Sequence, residues 1–114
     1  HWGTDIDIWD AGSVPKDYRP RLIASEYSYG GPFYKLASWL SVSSEDFGFQ
    51  MPYSHDHGGI AREPWHLSYA PLAKNFEDMI DISFVRSIID PDALALSDTV
   101  INSLDEIFTK FILK

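Results

Sequence analysis

Residues 63–69 read Glu-Pro-Trp-His-Leu-Ser-Tyr, with a large apolar side chain at every second position from Trp65 onward. Such alternation predicts a half-buried β-strand, because successive side chains of a strand point to opposite faces of the sheet. Trp65 and Leu67 then face one side, and His66 and Ser68 face the other. The pattern therefore separates His66 from the aromatic face of the strand.

Glu63 and His66 are the chemistry-bearing side chains of this stretch, three residues apart. On a strand or tight turn, this spacing allows one metal-held water to lie between the carboxylate and the imidazole. A zinc ion with three protein ligands keeps an open position for water and lowers the pKa of that water, and a nearby Glu can take its proton. The pair fits hydrolysis, although such pairs also occur by chance as solvated or hydrogen-bonded side chains.

A second candidate strand lies near the start of the chain. Residues 4–9 read Thr-Asp-Ile-Asp-Ile-Trp, which is a rough alternation of polar and apolar side chains. Asp7 is expected to point away from Ile6 and Ile8. The chain contains no cysteine, so any metal must be held by His and carboxylate side chains. The alternative for Asp7 is an exposed carboxylate on a strand that binds no metal.

The Glu-Pro-Trp-His stretch resembles the closing motif of the D-alanyl-D-alanine carboxypeptidase and dipeptidase family of zinc peptidases. The other motif of that family is Ser-x-His-x-x-Gly-x-Ala-x-Asp. Gly3 and Asp7 have its Gly-to-Asp spacing, and Asp5 stands where the family often has Ala. The resemblance implies that Glu63 is the general base and that Asp7 and His66 are zinc ligands.

The same resemblance implies a role for Trp65 and a longer parent protein. Trp65 becomes a pocket-wall residue that contacts the substrate, with simple core packing as the alternative. The zinc-binding His of the family would fall directly before His1. We therefore expect residues 1–70 to be the C-terminal part of a metallopeptidase catalytic core, and we expect the chain alone to bind zinc poorly.

The other histidines have no match in these motifs. His1 offers an amine and a ring nitrogen to a metal, as in copper enzymes that cleave polysaccharides oxidatively, but a solvated terminus is the simpler interpretation. His55 and His57 lie in a polar loop beside two glycines. Such a loop favours solvated side chains, and a role in covering the substrate stays open.

The remaining sequence predicts an α+β domain. Apolar residues between Phe33 and Leu40 repeat at three- and four-residue spacing, as on one face of a helix, and Phe47–Met51 is a short candidate strand. Residues 71–114 show helical periodicity, with Ser97 as the predicted N-cap of the last helix. We expect a small antiparallel sheet that carries the zinc site, packed helices, and residues 71–114 as a helical extension of the same domain.

Composition narrows the class of partner. The chain of 114 residues has a net charge of −8 and scattered Lys and Arg, which argues against nucleic acid because phosphate binding needs clustered cations. No apolar run approaches the roughly 20 residues of a membrane span. By resemblance, the substrate is a peptidoglycan peptide ending in D-alanine, and the full protein is expected in the periplasm or outside the cell. A non-catalytic or metal-free binding domain of the same fold is the alternative.

Overall fold

A computed structural model describes residues 3–56 and 58–112. The described residues form a three-stranded antiparallel sheet and six α-helices, so the predicted α+β class is confirmed. The strands are β1 (Asp5–Asp7), β2 (Phe49–Gln50) and β3 (His66–Tyr69). The α-helices are α1 (Ala24–Tyr27), α2 (Tyr34–Ser43), α3 (Ala70–Glu77), α4 (Ile82–Ile88), α5 (Ser97–Asn102) and α6 (Leu104–Ile107). Short 3-10 turns at Ala11–Ser13 and Ser44–Phe47 and a π turn at Phe108–Ile112 complete the elements.

The central strand of the sheet is β3, which pairs antiparallel with β1 on one side and β2 on the other. Asp7 lies opposite His66 in the β1–β3 pair, and Asp5 lies opposite Ser68. Directly opposed residues of an antiparallel pair project to the same face, and residues two apart on one strand share a face. The register therefore brings these four side chains together on one face.

The opposite side of β3 packs on an aromatic core. Phe33 is fully buried, and Tyr27, Ala37 and Trp65 complete the cluster. The ring centroid of Tyr27 lies 5.1 Å from that of Phe33 and 5.3 Å from that of Trp65. Burying an aromatic side chain of this size contributes roughly 1.5–3 kcal/mol, so this cluster anchors the sheet to α1 and α2.

Tyr27 also ties the core to the end of β1. Its hydroxyl donates a hydrogen bond of 2.8 Å to the carbonyl oxygen of Ile8. Burial, together with the nearby charge of Glu26, raises the pKa of Tyr27 to about 12, which keeps the hydroxyl protonated as a donor. The backbone that follows Asp7 is thereby held against the core.

Glu26 is a buried carboxylate that organises the loop before α1. It accepts hydrogen bonds from the Tyr18 hydroxyl at 2.6 Å and from the backbone N–H of Arg21 at 3.1 Å. Burial alone would raise the pKa of Glu26, but the hydrogen bonds from Tyr18, Arg21 and neighbouring amides outweigh burial and hold it below its ordinary value. The ionised side chain therefore stabilises the native loop.

The C-terminal helices differ from the sequence prediction in detail. Leu96, not Ser97, is the N-cap of α5, so the predicted cap is wrong by one residue. The single last helix is also wrong, because Ser103 leaves the helical region at φ −98° and ψ 7° and separates α5 from α6. Leu104 and Phe108, which follow this break, are both buried. No helix among the described residues has the length and apolarity to cross a membrane.

Candidate metal centre

His66 lies at the centre of the shared polar face, with a carboxylate beside each ring nitrogen. Its Nδ1 is 2.9 Å from Oδ1 of Asp7, and its Nε2 is 3.2 Å from Oδ2 of Asp5. A neutral imidazole has one N–H donor and one acceptor nitrogen. A neutral ring can therefore satisfy only one of the two carboxylates, whereas a cation beside the other nitrogen satisfies both.

Glu63 lies on the Nδ1 side of the ring. One of its carboxylate oxygens is 3.9 Å from Nδ1 of His66. Its backbone N–H donates a 2.8 Å hydrogen bond to the carbonyl oxygen of Tyr53, and the next residue, Pro64, is fully buried. Proline fixes its own φ and restricts the backbone of the residue before it. The backbone of Glu63 is therefore restricted shortly before β3 begins.

These side chains surround a small cavity of about 330 Å³. Its lining residues are Asp5, Ile6, Asp7, Tyr53, Ile60, Glu63 and His66. Three carboxylates and one imidazole face a common space, and the ring of Tyr53 lies 4.9 Å from that of His66. A cation bound there would offset the mutual repulsion of carboxylates placed around one cavity.

The residues present fit part of a zinc site. Zinc binds His nitrogen and carboxylate oxygen at about 2.0–2.2 Å, which allows one ion to contact both His66 Nδ1 and the Asp7 oxygen 2.9 Å away. Residues 3–56 and 58–112 contain no group of three or more His, Cys, Asp or Glu side chains placed to hold a metal. The described residues alone therefore do not complete a metal site.

The other residues singled out in the sequence lie apart from this cavity. Trp65 is buried against Tyr27 in the core and does not line the cavity. Its position suits the packing alternative, and substrate contact stays a prediction. His55 is exposed and lines a separate cavity of about 750 Å³. The predictions for His1 and His57 fall outside the described residues.

Asp5 and Tyr53 belong to the site although the sequence did not indicate them. The signal for Asp5 was present, because a residue two positions before Asp7 shares its face of a strand. Tyr53 gave no such signal, since it reaches His66 from the loop between β2 and β3. Only the folded chain brings Tyr53 to the imidazole.

Comparison with known proteins assigns the chain to a family. The family model of D-alanyl-D-alanine carboxypeptidase matches residues 1–72. The chain belongs to this family. The match includes the carboxylates and the imidazole around the cavity, so the predicted resemblance is confirmed, and family membership suggests peptidase activity.

A curated relative extends the likeness beyond the family match. An uncharacterized protein from Haemophilus influenzae is 31% identical over 114 residues, which cover 98% of this chain and 87% of the relative. The aligned region therefore includes the C-terminal helices as well as the sheet. No solved structure matches the chain.

Proposed function

We propose that the chain is part of a zinc-dependent peptidase of the D,D-carboxypeptidase type, which hydrolyses peptidoglycan peptides ending in D-alanine. The observation that carries this proposal is the convergence of Asp7, Glu63 and the Nδ1 of His66 on one cavity. The family match supports the reaction class. A peptidoglycan substrate would place the working protein in the periplasm or outside the cell.

The proposed ligands are His66 through Nδ1 and Asp7 through its carboxylate, with a third ligand from outside the described residues. Zinc, when bound, supplies a Lewis acid that polarises the peptide carbonyl and lowers the pKa of water. Glu63 accepts the proton of the attacking water and later donates it to the leaving amine nitrogen. Ile6 and Ile60 give the same cavity an apolar part of its lining.

The first test measures zinc content and D-alanine release from a muropeptide. It compares residues 1–114 with a version extended upstream through the expected zinc-binding His. We expect the extended version to bind one zinc and to release D-alanine. Its Glu63→Gln variant should keep zinc and lose roughly 10²- to 10⁴-fold in rate, as is typical when a general base is removed.

Glu106→Gln is the matched control, since the Glu106 side chain is 65% exposed in α6 and lies outside the cavity. This variant should keep both zinc and activity. Full activity of Glu63→Gln would contradict the role of Glu63. An extended version with neither zinc nor activity would instead support a non-catalytic domain of the same fold.

A further inference from the structure

Asp5 is the most deeply buried carboxylate of the cavity, with a side chain that is only 1% exposed. Its Oδ1 accepts hydrogen bonds from the hydroxyls of Thr4, at 2.9 Å, and Ser68, at 2.5 Å. Its Oδ2 faces the Nε2 of His66 at 3.2 Å. Burying a carboxylate is costly unless hydrogen bonds compensate for the lost water. The burial of Asp5 therefore favours a ring that gives its N–H to this carboxylate.

Asp7, on the other side of the ring, is in a different environment. Its side chain is 45% exposed, so water or a cation can solvate its carboxylate when the imidazole offers no proton. Of the two neutral forms of His66, the one with the proton on Nε2 satisfies the buried acceptor and leaves the exposed one to solvent. The opposite form directs the N–H to the exposed carboxylate of Asp7 and turns the Nε2 lone pair toward Asp5.

We infer that Asp5 is a positioning residue, which accepts the Nε2–H of His66 and thereby presents the Nδ1 lone pair to the metal beside Asp7. This inference rests on the proposed zinc peptidase function and adds a residue to it. Partners on the remote nitrogen of a metal-binding His fix the ring orientation and its tautomer, and their loss typically costs 10- to 100-fold in metal affinity.

The hydroxyls of Thr4 and Ser68 lead us to expect different effects from two substitutions of Asp5. Both hydroxyls donate hydrogen bonds to Oδ1 of Asp5. In Asp5→Asn they would therefore hold the amide oxygen at that position and direct the NH₂ group toward Nε2 of His66. An NH₂ donor needs an acceptor, and the proton of the ring would move to Nδ1, the proposed metal ligand. Asp5→Ala removes the acceptor without installing a donor. The conservative Asn variant should therefore be the more harmful one.

The first measurement is zinc affinity by competition with a chromophoric chelator, in the extended version that carries the upstream residues. We expect Asp5→Ala to bind zinc about 10-fold more weakly than wild type and Asp5→Asn about 100-fold more weakly. Asp98→Asn, which changes an exposed carboxylate in α5, is the control and should keep wild-type affinity. Thermal unfolding of each variant verifies that it is folded.

The second measurement needs no metal. Two-bond ¹H–¹⁵N correlation spectra of residues 1–114, at a pH where the ring is neutral, report which nitrogen of His66 carries the proton. The chain has four His, so a His66→Gln variant identifies the resonance. We expect the proton on Nε2 in the wild type and on Nδ1 in Asp5→Asn.

The outcomes separate the two proposals. If the wild type binds zinc and cleaves substrate but both Asp5 variants keep its affinity, or Ala is worse than Asn, the positioning role is wrong and the function stands. If no version binds zinc, the function fails and the spectra decide on Asp5 alone. In that case a wild-type proton on Nδ1 overturns the inference, and a proton on Nε2 that moves in Asp5→Asn supports it.

Discussion

The two halves of the chain differ in the core that they form. Within residues 3–69, the core includes the fully buried Phe33 and a set of aromatic contacts around it. Within residues 70–112, the buried hydrophobic side chains are Ala73, Leu104 and Phe108. Both halves also expose large apolar side chains, which in residues 70–112 are Leu72, Phe76, Met79, Phe84, Ile88, Leu94, Leu96 and Phe111. Apolar periodicity therefore forms helices in both halves, and the aromatic core cluster lies in the first.

The dimensions of the molecule agree with this contrast. Its radius of gyration is 17.2 Å and its longest axis 49 Å, whereas a compact chain of this length has a radius of about 13 Å. A helix gains most of its stability in a protein from the surface that covers its apolar face. We therefore expect residues 3–69 to supply most of the free energy of unfolding.

The largest expected effect is the loss of stability when a core side chain is truncated. Phe33→Ala should lower the free energy of unfolding by roughly 3–5 kcal/mol, the usual range for a buried Phe, because Phe33 is 0% exposed. Phe84→Ala in α4 is the matched variant, at 50% exposure, and should cost less than about 1 kcal/mol. Urea unfolding followed by circular dichroism compares the two. Equal losses of unfolding free energy would show that the apolar side chains of residues 70–112 are covered in solution.

How far the sequence predicts this molecule depends on which physical signal each residue carries. Alternation predicted β3 and placed His66 opposite the aromatic face, and the motif spacing selected Asp7 and Glu63. Alternation alone did not reveal the use of Asp5, since a carboxylate in a short strand is ordinarily exposed. Its burial depends on the pairing of β1 with β3, which joins residues 59 to 63 positions apart.

In the C-terminal half, apolar periodicity predicted the helices but not where they are interrupted. The apolar stripe from residue 97 onward predicts helix correctly, but periodicity reports a face and not the element that covers it. The break at Ser103 directly precedes Leu104, and the apolar pattern did not predict it. Local signals thus predicted the helices but not the break between them.

A smaller loss of stability is expected when a hydrogen-bonded carboxylate is replaced by an amide, and each half of the chain offers one such carboxylate. Glu26→Gln should cost about 1–3 kcal/mol at pH 7, since it leaves buried donors poorly matched. The pKa of Glu26 is lowered in the folded state, so its contribution is present above the unfolded value of about 4.5 and is lost as pH falls through the folded pKa. Denaturant unfolding from pH 7 down to pH 3 should show the difference between wild type and variant shrinking below pH 4.5.

Glu106→Gln in α6 is the control for that series. The hydrogen bond from Lys110 also lowers the pKa of Glu106, but this pair lies on the surface, where ion pairs contribute little. Its stability should differ little from that of wild type across the same pH range. A pH dependence as large as that of Glu26 would contradict the contrast between the halves.

The smallest effect concerns a close contact between the C-terminal turn and the loop that leads to Glu63. A Cβ at Gly59 would overlap the carbonyl oxygen of Lys110, so Gly59→Ala should displace the turn at Phe108–Ile112. Because Phe108 is the only buried residue of this turn, global stability should fall by less than about 1 kcal/mol. Hydrogen exchange should accelerate in α6 and leave β3 unchanged. Gly58→Ala is the control, since its Cβ meets open space at φ +80° and adds only backbone strain. If β3 amides exchange faster in Gly59→Ala as well, the halves open together, and the helical part would be a support of the catalytic loop.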